Sequence, residues 1–140
     1  MIRLANEHDA EQLSSLNLAF NGQGETTIEN IRMSIQQNQQ EVVVIDEEDG
    51  LLVGFVCVQL KKSFCYDGYM PEITEVYVDP AYRRRGIASR MILFAEDCCA
   101  DNYPLHKMEL LTGVKNLAAQ NTYRKLGYCA DGEIHLSKKI

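Results

Sequence analysis

The residues best suited to chemistry form a basic run, Arg83, Arg84 and Arg85, which is followed directly by Gly86. Guanidinium groups donate paired hydrogen bonds that match the oxygens of a phosphate. A glycine at such a point lets an anion come close to the main chain. Basic residues are disfavoured where the helix dipole is positive, so three of them at a helix start need an anionic partner. The run predicts a site for a phosphate or pyrophosphate.

Two predicted elements position this run. Val76, Tyr77 and Val78 are typical of a strand end, and Asp79-Pro80 stops the strand because proline cannot donate to a ladder. After Gly86, apolar residues recur at helical spacing and predict a helix that begins near residue 87. The first N–H groups of a helix lack partners within it and attract anions. The alternative is a basic helix start on a solvated surface.

Composition limits the classes of function. The chain has 140 residues and a net charge of −6, which is typical of one globular domain over residues 1–140 and argues against nucleic-acid binding. An acidic protein favours a cationic substrate such as an amine. Five cysteines without Cys-x-x-Cys spacing indicate reduced core residues of a cytoplasmic protein. We expect no metal site, because the histidines are scattered, and no membrane span or signal peptide, because no apolar run is suitable.

The remaining elements predict an α+β fold, in the order strand, two helices, three strands, helix, strand, helix, strand. Asn6 or Asp9 is expected to cap the first helix and Thr27 the second. A hairpin joins strands at 41–45 and 51–60 through residues 46–50, whose acids we expect to be solvated rather than metal-bound. Strands are also expected at 107–112 and 134–138. The aromatic loop at 61–70 is either a wall of the substrate site or a loop that packs on the body.

Two segments carry a family resemblance. Arg83-x-x-Gly86-x-Ala88 resembles the coenzyme A pyrophosphate loop of the GNAT acetyltransferase superfamily, Gln/Arg-x-x-Gly-x-Gly/Ala. The segment from Asn116 to Tyr128 resembles the superfamily's Asn-x-x-Ala-x-x-x-Tyr-x-x-x-Gly-Phe/Tyr pattern. The element order agrees from end to end, although the specific motifs lie in the C-terminal half. The resemblance implies the GNAT fold, a central mixed, mostly antiparallel sheet flanked by about four helices, and acetyl-CoA as the co-substrate.

The same resemblance implies a cofactor site. Where two parallel strands splay apart, exposed N–H and C=O groups can pair with the amides of the pantetheine arm as an added strand would. Backbone N–H groups and arginines would hold the pyrophosphate. The expected cofactor-binding residues are Val76, Tyr77, Val78, Arg83, Arg84, Arg85, Gly86, Ile87, Ala88, Ser89, Asn116 and Tyr123.

Catalysis by direct attack of an amine requires an acid and a base. The resemblance implies that Tyr123 protonates the departing thiolate, although a packing role for Tyr123 on the same helix face is compatible with that. Glu75 and Glu72 are candidate bases, and a water relay is the alternative. Strand alternation puts these two glutamates on opposite faces unless a bulge intervenes. The N–H of Val76 is a candidate donor to the oxyanion. We expect no acetyl-cysteine intermediate.

The favoured function is therefore N-acetylation of a primary amine on a small molecule, such as an aminoglycoside or a polyamine. The alternatives are a protein acetyltransferase for an N-terminal or lysine amine, and a non-catalytic acyl-CoA-binding regulator. The sequence is also compatible with a homodimer. Substrate choice is expected to lie in residues 20–27, in the second helix and in residues 64–70.

Overall fold

The computed structural model describes all 140 residues and contains five strands and four helices. The strands are β1 (Ile2–Leu4), β2 (Glu41–Glu48), β3 (Leu51–Gln59), β4 (Glu72–Val78) and β5 (Glu109–Leu110). The helices are α1 (Ala10–Asn21), α2 (Ile28–Gln37), α3 (Ile87–Asn102) and α4 (Leu117–Lys125). Single 3-10 turns cover Glu7–Asp9 and Pro80–Tyr82. None of the helices combines the length and the apolar character that a membrane crossing requires.

The five strands form one sheet in their sequence order, β1-β2-β3-β4-β5. The first three pairings are antiparallel and the pairing of β4 with β5 is parallel. The sheet is therefore mixed and mostly antiparallel, and four helices accompany it, which confirms the predicted α+β fold. Asn6 and Thr27 act as N-caps, the former for the 3-10 turn that leads into α1 and the latter for α2.

Helices cover both faces of the sheet. On one face, Leu13 and Leu16 of α1 pack with Phe55 and Tyr77, and α2 adds Ile31 and Ile35 at the margin of this cluster. On the other face, α3 packs its apolar side against alternate residues of β2, β3 and β4. Each strand can serve both clusters because successive side chains point to opposite faces.

Gly54 allows α3 to approach the sheet closely. A Cβ atom at this position would lie 2.7 Å from the carbonyl oxygen of Tyr77 and 3.0 Å from the side chain of Met91. Met91 is fully buried in α3, so any larger residue at position 54 would push α3 away from β3. The close approach fixes where the N-terminus of α3 lies relative to the end of β4.

Four expectations from the sequence are corrected. Residues 134–138 form no strand, and the expected strand at 107–112 shrinks to Glu109–Leu110. Asp46 is not solvated at a hairpin tip: it is 1% exposed inside β2, where its carboxylate accepts a 2.9 Å hydrogen bond from the amino group of Met1. The tight turn itself uses Asp49 and Gly50, both at positive φ. Of the five free cysteines, Cys65 and Cys129 are exposed rather than in the core.

Candidate active site

The free edge of β4 forms one side of the larger candidate site. β5 pairs with β4 only at Glu72 and Ile73, so the edge from Thr74 to Val78 has no strand beside it. This gap opens into a cavity of about 650 Å³, which we call the cofactor cavity. It is lined by Ala19 and Phe20 of α1, by Val76, Tyr77 and Val78 of β4, by Tyr82, Arg83, Arg84 and Gly86, by Ile87, Ala88 and Ser89 of α3, and by Asn116, Ala118, Ala119, Thr122 and Tyr123.

The backbone of β4 presents hydrogen-bonding groups to this cavity. The N–H of Asp79 donates to the carbonyl of Val53, and the register then directs the backbone groups of Tyr77 and Glu75 toward β3. Val76 and Val78 consequently present theirs to the free edge. The Val78 carbonyl already accepts a 2.9 Å hydrogen bond from Nε of Arg83, which leaves the groups of Val76 and the N–H of Val78 for a ligand.

The turn into α3 has the backbone geometry of an anion site. Arg84 and Gly86 both lie in the left-handed region, at φ 64° and 75°. Such a conformation is costly for a non-glycine residue and is concentrated at functional sites. Gly86 is the N-cap of α3 and supplies no side-chain cap, and the first turn of α3 contains no acid. The first amides of α3 are therefore available for a phosphate, in the favourable field of the helix dipole.

The arginines of the loop have separate positions. Arg83 lies over the ring of Tyr77 at 5.8 Å, in addition to its bond to Val78. Arg84 lines the cavity and is exposed, which leaves its guanidinium available for a phosphate. Arg85 does not line the cavity: it lies over the ring of Tyr82, outside the cavity lining. Arg90, which the sequence analysis did not identify, donates a 2.9 Å hydrogen bond to the carbonyl of Arg85 and braces the loop.

The α4 segment forms the opposite wall of the cofactor cavity. Asn116 caps α4 by accepting a 3.2 Å hydrogen bond from the N–H of Ala119, so part of its role is structural. Tyr123 is half-buried against the α3 cluster and also lines the cavity. Burial raises the pKa of the Tyr123 phenol, which keeps its proton in place at neutral pH. Packing and proton donation are thus compatible at this residue.

A second cavity, of about 250 Å³, lies under α1 and α2 on the opposite face of the sheet from α3; we call it the acceptor cavity. Its lining combines two carboxylates with polar and apolar side chains from five elements and the segment before α2: Leu13, Asn17, Asn21, Thr26, Asn30, Ile31, Ser34, Ile35, Glu41, Val43, Phe55, Cys57 and Glu75. No motif marks these residues in the sequence, since they are spread over residues 13–75.

Two glutamates give the acceptor cavity its charge. Burial, and then the charge of Glu75, raises the pKa of the Glu41 carboxyl, although a hydrogen bond from Gln59 opposes the shift. Cys57 is also in the lining, and its thiol pKa is raised by burial and by both glutamates. A thiol held in its protonated form is a poor nucleophile, which agrees with the expectation that no acetyl-cysteine forms. The two carboxylates make the lining of this cavity acidic.

A bulge in β4 changes the relation between the two candidate bases. Cys57 pairs with Glu75 but Val58 pairs with Ile73, so Thr74 is an extra residue in β4. Glu72 and Glu75 therefore share a face of the sheet, because their partners Gln59 and Cys57 do. Only Glu75 lines the acceptor cavity. Glu72 instead forms a 3.1 Å ion pair with Lys61, which is shared with Glu109.

The aromatic loop at 61–70 lines neither cavity. Tyr66 stacks on His106 at 4.8 Å, and Tyr69 forms a bridge to Leu105, while Phe64 is almost fully exposed. Of the two alternatives for this loop, a wall of the substrate site or packing on the body, the contacts favour packing on the body. No sequence motif identifies Glu41 or the polar residues of α1 and α2. The polar residues lie near residues 20–27 and in the second helix, where substrate choice is expected, whereas Glu41 lies in β2.

Comparison with known proteins identifies the family of the chain. The chain matches the acetyltransferase (GNAT) family over residues 10–128 and belongs to that family. It is accordingly an acetyltransferase, and the acetyl donor of the family is acetyl-CoA. No curated protein matches the chain by sequence.

Solved structures share the fold over nearly the whole chain. A ribosomal-protein-alanine N-acetyltransferase from Brucella melitensis biovar Abortus 2308 is 19% identical, with a TM-score of 0.82 over 99% of this chain and 98% of that chain. The aminoglycoside acetyltransferase meta-AAC0020 from an uncultured soil metagenomic sample is 16% identical, with a TM-score of 0.86 over 100% and 95%. AAC(6')-Iy, in complex with a CoA-linked bisubstrate analogue, is 19% identical, with a TM-score of 0.87 over 100% and 97%. At these identities the likeness concerns the fold.

Proposed function

We propose that the protein transfers an acetyl group from acetyl-CoA to a primary amine of a small cationic molecule. One observation carries the choice of acceptor: a cavity of about 250 Å³ has two acidic side chains, Glu41 and Glu75, in its lining. Phe55 of the same lining contacts Phe20 of the cofactor cavity. This volume is near the lower end for small-molecule sites. An ammonium group placed between the two carboxylates would relieve their mutual repulsion, so a cation fits the cavity better than a neutral ligand.

The cofactor would lie along the free edge of β4. Its pyrophosphate would accept hydrogen bonds from the first amides of α3, and its amide-rich arm would pair with Val76 and Val78. This arrangement puts the thioester near Val76, next to Glu75, whose side chain faces the acceptor cavity. The N–H of Val76 is then free to stabilise the oxyanion.

Transfer proceeds in this proposal by direct attack. The reacting amine attacks in its neutral form, after its ammonium proton has passed to solvent. Its nitrogen bonds to the thioester carbon, the C–S bond breaks, and the sulfur takes the proton of the Tyr123 hydroxyl. Glu75 accepts the proton that the amine loses, directly or through a water, and exchange with solvent restores both residues. Glu41 holds the cationic acceptor. Glu72 takes no part, because its carboxylate is paired with Lys61.

A panel of amines tests the acceptor class. Purified protein would be incubated with acetyl-CoA and with aminoglycosides, polyamines, monoamines and peptides that carry a free N-terminal or lysine amine, while released thiol is measured. We expect turnover with small molecules that carry at least two amines. Turnover with peptides alone would favour the protein acetyltransferase, and binding of acetyl-CoA without any turnover would favour the regulator.

The cellular compartment and the binding partners of the protein are also proposals. The five unpaired thiols support a reducing, cytoplasmic environment. Homodimer formation and the absence of nucleic-acid binding stay predictions, which light scattering with and without added DNA would test.

A further inference from the structure

Three aromatic rings contact each other between the two cavities. The Phe20 ring lies 5.2 Å from that of Tyr77 and 6.0 Å from that of Phe55, and the latter two are 5.8 Å apart, centroid to centroid. Phe20 and Tyr77 line the cofactor cavity, whereas Phe55 lines the acceptor cavity. We call this cluster of Phe20, Phe55 and Tyr77 the aromatic partition.

An acyl group would lie beside the aromatic partition. In the cofactor site proposed above, the pantetheine arm would follow β4 from the loop at Arg83 toward Val76, and its acyl end would be the part farthest from the pyrophosphate. On the α1 face of β4, Val76 is flanked by Glu75 and Tyr77, and Phe20 packs against Tyr77. A longer acyl chain that extends from the thioester toward the acceptor cavity would therefore meet these rings.

We propose that the aromatic partition limits the length of the acyl chain that the enzyme accepts, and that Phe20 sets the limit; this rests on the cofactor site proposed above. Phe55 and Tyr77 are 5% and 7% exposed and are held within strands. Phe20 is 40% exposed in the last turn of α1, two residues before Gly22 at φ 91°. It is the one ring of the three whose removal opens space without emptying the core.

The expected size of the effect follows from the chemistry of the added methylenes. A well-shaped apolar site discriminates against one extra methylene by about tenfold or more. Where an apolar site has room, each buried methylene instead improves affinity about fourfold. Shortening Phe20 should therefore change the preference between acetyl-CoA and butyryl-CoA by at least about tenfold.

Calorimetric titration of the full chain with acetyl-CoA, propionyl-CoA and butyryl-CoA tests this proposal without knowledge of the acceptor. The wild type is expected to bind acetyl-CoA most tightly and butyryl-CoA most weakly. Phe20→Ala should remove or reverse that order, which is a change of at least about tenfold in the ratio of the dissociation constants of butyryl-CoA and acetyl-CoA. Phe64→Ala is the matched control, because Phe64 is 99% exposed and lines neither cavity.

Phe20→Leu is a second variant, for use if the alanine variant does not fold. It keeps the apolar contact with Tyr77 and should change the preference between acetyl-CoA and butyryl-CoA by a smaller factor. The proposal is overturned if the wild type binds butyryl-CoA as tightly as acetyl-CoA, or if the order is unchanged in the folded Phe20 variant. A wild type that binds none of the three thioesters would overturn the cofactor site itself, and that outcome is distinct from the other two.

Discussion

The cofactor cavity and the acceptor cavity adjoin each other and are built in opposite ways. The cofactor cavity uses backbone groups: the free edge of β4 and the first amides of α3. The acceptor cavity uses side chains from α1, α2, β2, β3 and β4. Backbone recognition requires a fixed chain path and therefore leaves a local sequence pattern. Side-chain recognition requires only that a few polar groups converge, which many sequences achieve.

This difference predicts that substitutions should separate into two classes. Changes at the turn into α3, which would bind the pyrophosphate, should affect the affinity for acetyl-CoA whatever the acceptor is. Changes in the acceptor cavity should affect the Michaelis constant of the amine and leave the affinity for acetyl-CoA unchanged. A variant that altered both constants together would contradict the separation.

The largest effect is expected for Gly86→Asp. The change places a carboxylate at the first turn of α3 and strains a residue at φ 75°. Repulsion of a pyrophosphate at this point should weaken acetyl-CoA binding by about a hundredfold or more, as measured by calorimetry. Gly50→Asp is the control, because Gly50 has a similar φ of 82° at the β2–β3 turn, away from both cavities. Equal affinities for the Gly86 variant and the wild type would refute the anion site.

Tyr123→Phe should come next in size. Loss of a general acid lowers kcat by about a hundredfold, whereas the dissociation constant of acetyl-CoA should stay within a factor of about two. For a thioester whose thiol is more acidic, the substitution should lower kcat by a smaller factor, because a less basic thiolate departs more readily without protonation. Tyr128→Phe is the control: its hydroxyl donates to Glu96 at 2.6 Å and lines neither cavity. If steady-state kinetics give Tyr123→Phe an unchanged kcat, Tyr123 is a packing residue only.

The acceptor carboxylates should give a smaller and different effect. Glu41→Gln should raise the Michaelis constant of a cationic amine about tenfold, because one hydrogen-bonded charge is lost, while Glu72→Gln should change it little. The pKa of Glu41 is raised, so this carboxyl gains its proton at a higher pH than an ordinary glutamate. The Michaelis constant in the wild type should therefore rise as the pH falls through that pKa. Initial rates across pH would show this rise, which Glu41→Gln should flatten; an identical profile in the variant would contradict the role.

The smallest effect is expected for Thr27→Ala. Its hydroxyl caps α2 by accepting a 3.1 Å hydrogen bond from the N–H of Asn30, and α2 lines only the acceptor cavity. Loss of an N-cap costs about 1 kcal/mol of unfolding free energy. Denaturant titration should show that loss, and kinetics should show a modest rise in the Michaelis constant of the amine. Ser15→Ala, on the exposed face of α1, is the control; an equal loss there, or a change in acetyl-CoA affinity at Thr27, would argue against the assignment.

The contrast between the cavities also explains what the sequence could predict. Gly86, the arginines and Asn116 to Tyr123 were identified because their spacing is set by one chain path at the start of a helix. Arg85 was placed with them because a run of three like residues does not show which of them turns outward. The shared face of Glu72 and Glu75 depends on the bulge at Thr74, and no residue type marks such a bulge. Glu41 cannot be predicted from the sequence, because the role of this strand carboxylate depends on the residues of β3, β4, α1 and α2 around it.

A crystal structure with a bisubstrate analogue, which links coenzyme A to an amine found in the panel, is the most direct test of whether the two cavities form one site. We predict that the pyrophosphate contacts the amides after Gly86, that the arm lies along Val76 and Val78, and that the amine portion lies between Glu41 and Glu75. Placement of the amine portion outside the acceptor cavity, for example against the loop at 61–70, would contradict the proposal that the two cavities form one site.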